Sequence, residues 1–331
     1  MSTGLVLGKF YPPHAGHRYL IETALASCDE VFVALLGHSA ETIPLAVRAA
    51  ALAEMCPRAL VRSGIADHRV DYHDPAVYAW WDRAIKNLIG RERVDVLFTS
   101  EPEYGDEVAR RLGARHVLVD ADRRVVPISG TAVRANPQAY WDQLGPTMRA
   151  WYVPRVCLTG AESTGTTTMA ARLAARYQTV WVPEYGREYS LPKDQAGETW
   201  DHADFVHIAR TQGEQEDAAA RVANRILFAD TDPAATALWH ERYLGSPAPD
   251  IAALGAARRY ALTFLTADDF PWVDDGARFS PQTRAHMQAQ FRALLATRPE
   301  PVIELTGSIA GREAQAVEAI ERVLGLVPPP D

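Results

Sequence analysis

A chain of 331 residues is long for one domain and comfortable for two, each able to bury its own core. Its apolar content of 47% and charged content of 23% are those of an ordinary globular protein. A net charge of -8 argues against a nucleic-acid partner, which calls for a basic stripe, and no apolar run approaches bilayer-spanning length.

Short apolar runs alternate with segments of helical period, which predicts α/β architecture with mostly parallel strands. In the first half, strands are expected over 4–8, 30–36, 59–63, 94–99 and 115–119, with helices near 16–27, 44–55, 75–89 and 104–112. A second series begins near Arg155. Its strands are expected over 155–159, 179–182, 225–229, 260–266 and 301–305, with helices near 166–177, 202–223, 233–243, 281–296 and 311–324. Gly145, Pro146 and Pro154 suit a short, stiff connection, so the domains are expected at 1–150 and 151–331. Each reads as a doubly wound parallel-sheet domain that binds ligands at the carboxyl ends of its strands. Cys28, Cys56 and Cys157 lie far apart without a CxxC pair, which suits buried thiols in a reducing compartment. The strand-like Gly4-Leu5-Val6-Leu7 follows the start with no signal-peptide pattern, so a cytoplasmic location is expected.

The first strand runs into Gly8-Lys9-Phe10-Tyr11-Pro12-Pro13-His14-Ala15-Gly16-His17 and then a helix. Glycines let a backbone approach a phosphate, and a helix N-terminus offers free N–H groups and a positive dipole end. His14 and His17, three residues apart at that turn, can both face the anion. Two helix-capping histidines are the alternative. Far downstream, Ile128-Ser129-Gly130-Thr131-Ala132-Val133-Arg134 opens another helix and offers hydroxyls and a guanidinium that grips two oxygens.

These two segments resemble the HxGH nucleotidyltransferase superfamily, with HAGH as its first signature and ISGTAVR as its second, Gly130 replacing a frequent serine. The resemblance implies attack by an acceptor phosphate on the α-phosphorus of ATP, with pyrophosphate released. By that likeness Gly8, Lys9, Phe10, His14, His17, Ser129, Thr131 and Arg134 bind ATP. His14, His17 and Arg134 act in catalysis, and Mg2+ accompanies the triphosphate. The variant Gly-Lys-Phe-Tyr-Pro-Pro-His is similar to the nicotinamide-mononucleotide adenylyltransferase half of the bifunctional NadR-type proteins. Trp81, or else its neighbour Trp80, is then a candidate to stack on the pyridinium ring, with a core position the alternative.

The strand at 155–159 leads into Gly160-Ala161-Glu162-Ser163-Thr164-Gly165-Thr166-Thr167. This is the P-loop pattern G-x-x-x-x-G-K-[ST] with Thr166 where lysine belongs. The backbone nest depends on the turn and survives, and Thr167 can still reach Mg2+, but the bridging ammonium is lost. The following segments, Glu184-Tyr185-Gly186-Arg187-Glu188, Asp230-Thr231-Asp232 and Trp272-Val273-Asp274-Asp275-Gly276, resemble the ribosylnicotinamide kinase half of NadR-type proteins. The likeness makes Glu184 the base for a 5′-hydroxyl and Asp230 the Mg2+ partner with Thr167. It makes Arg187, Asp232 and Trp272 substrate-binding residues, while helix capping and turns are the alternative for the acidic ones. Arg278 or Arg284 is expected to replace the lysine. Some relatives carry a DNA-binding helix-turn-helix ahead of these domains, which is not expected here.

The resulting expectation is an NAD salvage enzyme using ATP, nicotinamide mononucleotide and nicotinamide riboside, with NAD as product. The alternative is an adenylyltransferase alone, whose P-loop domain is a nucleotide-binding regulatory or assembly module. Neither a nucleic acid nor a membrane is an expected partner, and a homo-oligomer is left open.

Overall fold

Leu5, Val6 and Leu7 alternate between the two faces of β1 (Thr3–Gly8) and are all buried, as a central strand with helices on both sides requires. The computed structural model describes residues 1–67, 73–269 and 281–330. It divides into two units, Met1–Tyr152 and Val153–Asp331.

In the first unit, β1 is followed by α1 (Ala15–Ser27), β2 (Glu30–Gly37), α2 (Leu45–Met55), β3 (Leu60–Ile65) and α3 (Pro75–Ile89). Then come β4 (Val96–Thr99), α4 (Pro102–Leu112), β5 (Arg115–Leu118), α5 (Gly130–Ala135) and α6 (Pro146–Tyr152). The five strands pair in parallel in the order β3-β2-β1-β4-β5. One face packs Val6, Val33, Leu35 and Phe98 on Leu20, Ile21 and Leu52 of α1 and α2. The other packs Leu5, Leu7, Phe32 and Leu97 on Ile85, Ile89 and Val108 of α3 and α4. The strand order reverses beside β1, which opens a crevice at the carboxyl ends of β1 and β4.

The second unit runs β6 (Arg155–Thr159), α7 (Thr166–Arg176), β7 (Trp181–Val182), α8 (Tyr185–Ala196), α9 (His202–Ala220) and β8 (Leu227–Asp230). It continues with α10 (Pro233–Leu244), α11 (Pro249–Ala256), β9 (Leu262–Thr266), α12 (Pro281–Leu295), β10 (Val302–Leu305) and α13 (Ile309–Leu324). Its parallel order is β10-β9-β6-β8-β7, with β6 central. Val156, Leu158, Phe228 and Phe264 pack on Met169 and Leu173 of α7 and Ala316 and Ile320 of α13.

Three details differ from the sequence expectation. Residues 146–152 form a helix of the first unit, where Met148 packs on Ile43 and Leu144, because an apolar residue among the prolines finds a core. Helix α8 was not anticipated: it buries no residue fully and carries Pro192 inside, so it lacks the apolar stripe that marks a helix. Short α11 escaped for want of length, although Ile251 is fully buried. Among the described residues, no helix is long and apolar enough to cross a membrane.

Candidate active sites

The loop leaving β1 brings His14 to the N-cap of α1 and His17 to its first turn. The two imidazoles stack with ring centres 3.7 Å apart and planes 24° apart, and the edge of Phe10 meets His17 at 4.9 Å. His14 makes no side-chain capping bond, and Nδ1 of both rings is buried without a partner. Burial is the main reason that His14 is lowered to about 4 and His17 well below 6.5, with Arg123 adding to both. Both rings are therefore neutral near pH 7, each with one N–H to donate and one nitrogen to accept. Unpaired buried nitrogens at the positive end of a helix are unlike helix caps and suit an incoming anion.

The second motif closes on the first. The Ser129 hydroxyl accepts from the Ala132 amide at 3.1 Å, capping α5. The Arg134 guanidinium donates to the Tyr11 carbonyl and to the Thr131 hydroxyl, and lies 4.4 Å from the centre of the Tyr11 ring. Gly130 is required by this approach: a Cβ there would fall well inside contact distance of the Tyr11 carbonyl oxygen. The sequence suggested only a lost hydroxyl at 130, whereas the backbone of the first motif excludes any side chain. Gly130→Ser is therefore expected to lower the thermal midpoint, with overpacking of about 1–3 kcal/mol, which thermal melts check.

The other expected residues of this unit fall in different places. Gly8 packs against the Phe10 ring, and Lys9 is exposed beside the crevice. Phe10 holds a left-handed backbone at φ 44° while its ring is buried in the core, so it supports His17 from below. Trp81 is half-buried, edge-on to Tyr104 at 5.9 Å and Tyr78 at 6.3 Å, and Tyr104 donates to the Leu7 carbonyl at the end of β1. Two arginines were missed. Arg48 is 1% exposed, pairs with Glu41 at 2.8 Å and donates to the Lys9 carbonyl at 2.8 Å, pinning the loop from beneath. Arg123 lies within electrostatic reach of both histidines. Neither stands in a motif, and their partners are distant in the chain.

In the second unit, the chain after β6 forms a P-loop. Gly165 supplies a left-handed residue at φ 86° as the N-cap of α7, and Ser163 adopts φ 61°. Much of the loop is held by its own unit. The Thr164 hydroxyl, fully buried, donates to the Ala161 carbonyl at 2.7 Å and bonds Thr266 at 2.7 Å. The Ala161 amide donates to Gln288 at 2.9 Å, so it is taken up within the unit. Arg284 donates to the Ser163 carbonyl at 3.4 Å and Arg312 to the Thr164 carbonyl at 2.6 Å.

Thr166, Thr167, Glu162, Glu184, Arg187 and Asp230 line a cavity of about 300 Å3 in front of this loop. The Thr167 hydroxyl donates to Asp230 Oδ2 at 2.5 Å, while Asp230 Oδ1 is buried without a partner. Burial raises the Asp230 carboxyl, opposed by the hydroxyls of Thr167 and Thr166 and by Arg187. Glu184 caps α8 only by its main chain, leaving its carboxylate to the cavity, where burial and Asp230 push it up to about 7.

The Asp232 carboxylate caps α10, accepting from Ala235 at 3.0 Å, and pairs with the largely buried Arg298, and Asp232 is not among the residues that line the cavity. Trp272 and Arg278 lie outside the described residues. The aromatic lining comes instead from Trp200, Phe205, Trp239 and Tyr243, with Trp200 5.1 Å from both Phe205 and Tyr243. These residues sit on or beside α9 and α10, without a motif to mark them.

The AAA domain family matches residues 155–312. The trifunctional NAD biosynthesis/regulator protein NadR of Escherichia coli strain K12 is 30% identical over 298 residues, covering 84% of this chain and 72% of that protein. NadR of Salmonella typhimurium is 28% identical over 344 aligned residues, covering 98% of this chain and 84% of that protein. Among solved structures, a NadR protein in complex with NR has a TM-score of 0.81 at 22% identity, covering 99% of this chain and 98% of its own. Another, with NAD and AMP-PNP, has a TM-score of 0.79 at 21% identity, covering 100% and 98%. The structural matches support the two-unit α/β fold, and with 30% identity to a protein of which it covers 72%, the chain belongs to the NadR family.

Proposed function

We propose that this protein is an enzyme of NAD biosynthesis, in which the first unit adenylates nicotinamide mononucleotide with ATP and the second phosphorylates nicotinamide riboside to supply it. The observation that carries the reading is the stacked His14–His17 pair at the N-terminus of α1, with Arg134 of the second motif bound to the Tyr11 carbonyl of the same loop. The names of its relatives, which bind NR or NAD or act in NAD biosynthesis, support the substrate class.

In adenylyl transfer, an acceptor phosphate oxygen bonds to the α-phosphorus of ATP as the bond to the α,β-bridging oxygen breaks. Pyrophosphate leaves with that electron pair, and no proton has to move. The protein contributes position and charge. The neutral His17 donates an N–H to the reacting phosphate, His14 orders that ring, and Lys9, Arg123, Thr131 and Arg134 surround the departing pyrophosphate. Trp81, packed against the core beside Tyr78 and Tyr104, is the candidate to stack on the pyridinium ring.

In the second unit, the riboside 5′-oxygen bonds to the γ-phosphorus, the β,γ-bridging bond breaks to release ADP, and the hydroxyl proton passes to Glu184. A carboxyl near 7 is matched to that task. The unpaired Asp230 Oδ1 and the Thr167 hydroxyl fit a hard divalent cation, and Mg2+ there would offset phosphate charge. The aromatic wall of Trp200, Phe205, Trp239 and Tyr243 suits a flat cationic ring. Thr166 favours a second reading, in which this unit binds nucleotide without transferring phosphate.

A product assay separates them. With ATP and Mg2+, nicotinamide mononucleotide is expected to give NAD and pyrophosphate in equal amounts, and absence of NAD overturns the first half. Nicotinamide riboside is expected to give the mononucleotide and ADP. If none forms, the second unit is a binding module.

A further inference from the structure

The cavity of the second unit is lined by four carboxylates, those of Glu162, Glu184, Asp194 and Asp230. Among the described residues, Arg187 is the one cationic side chain that lines it. A triphosphate entering such a field needs a positive group on its β- and γ-oxygens, where the P-loop pattern has lysine and this chain has Thr166.

The arginines nearest the loop are committed elsewhere. Arg284 donates to the Ser163 carbonyl. Arg312 is fully buried and donates to the carbonyls of Thr164, Ala267 and Gly307. Arg298 pairs with Asp232. None of the three lines the cavity, and two of them, Arg284 and Arg312, hold the loop by its carbonyls. Arg284, expected from the sequence as a substitute for lysine, is one of them.

Arg187 differs in each respect. It stands in the first turn of α8, three residues after Glu184 at the N-cap, and both line the cavity. Its side chain is exposed to the cavity, and its charge acts on both Glu184 and Asp230. The guanidinium thus lines the same cavity as the base and as the aspartate that Thr167 contacts. A guanidinium fork can hold two phosphate oxygens at once, as an ammonium does by point charge.

We propose that Arg187 bridges the β- and γ-phosphates of ATP in the second unit, taking the role of the missing P-loop lysine; this rests on the kinase reading of that unit. The charge arrives from the helix after β7 and not from the loop itself. It steadies the oxygen that departs with ADP as the γ-phosphorus passes to the 5′-oxygen and the proton to Glu184.

The test uses the full chain, with formation of nicotinamide mononucleotide from the riboside as readout. NAD formation by the first unit and the thermal midpoint of the same preparations control for folding. Arg187→Ala is expected to lower kcat by about 10²-fold, the scale of one transition-state charge donor. Arg187→Lys is expected to keep at least about a tenth of wild-type kcat, because it retains the charge. Thr166→Lys combined with Arg187→Ala is expected to regain at least about tenfold over Arg187→Ala, because it returns an ammonium to the P-loop. Wild-type kcat in Arg187→Ala overturns the proposal, and so does a double variant no faster than Arg187→Ala. A wild-type protein that forms no mononucleotide, where Thr166→Lys alone does, sinks the kinase reading and the proposal with it.

Discussion

His17→Ala is expected to lower NAD formation from nicotinamide mononucleotide by a factor of about 10²–10³, while leaving phosphorylation of the riboside unchanged. The ring lies half-buried on His14 with its Nδ1 unpaired, so its removal takes away a placed donor and no internal hydrogen bond. Alanine is a good helix former, and the thermal midpoint is expected to stay near that of the wild type. His17→Asn, which keeps a side-chain N–H, is expected to fall between the two. The pH profile offers an independent readout. Because burial keeps both imidazoles neutral above about pH 5, kcat/KM for NAD formation is expected to show no histidine step between about pH 6 and 9. Undiminished NAD formation in His17→Ala ends the assignment of the stacked pair as donors to the reacting phosphate.

Glu184→Gln is expected to lower riboside phosphorylation by about 10²–10⁴-fold, because amide nitrogen and oxygen cannot receive the hydroxyl proton. In the wild type, kcat/KM is expected to rise with pH up to about 7 and then level off, following the raised carboxyl. The variant is expected to lose that step. Stability runs the other way. The folded carboxyl keeps its proton up to about 7, whereas an unfolded one loses it near the ordinary carboxylate value. The folded state is thus penalised as pH rises through that window. Glutamine removes the penalty, so Glu184→Gln is expected to be the more stable protein at pH 8, by on the order of 2 kcal/mol, and nearly equal to wild type at pH 4. Thermal melts at the two pH values check it. A pH profile that is the same in wild type and variant would exclude Glu184 as the base.

The two expectations differ in how much of them the sequence carries. His14 and His17 are three residues apart on one turn, so their pairing follows from local geometry. Glu184 is recognisable at the end of a strand, but its elevated carboxyl comes from its burial first and then from Asp230, 46 positions later. Asp232 shows the same limit from the other side. It stands beside Asp230 at a strand end and reads as a ligand until Arg298 and the α10 amide claim it. Gly130 reads as a lost serine until the Tyr11 carbonyl is seen against it.

The sequence by itself determined the alternation of strands and helices, the two phosphate-binding turns and the absence of lysine at 166, because each is written in neighbouring residues. Period, glycine placement and motif spacing act over a few bonds. Only the tertiary structure decided which side chains face which cavity. It put Phe10 in the core, Arg48 beneath the first loop, Arg284 and Arg312 behind the second, and Arg187 in front of it. The reason is physical: a buried arginine needs acceptors and a buried carboxylate needs donors, and here the chain supplies many of them from elements dozens of residues away.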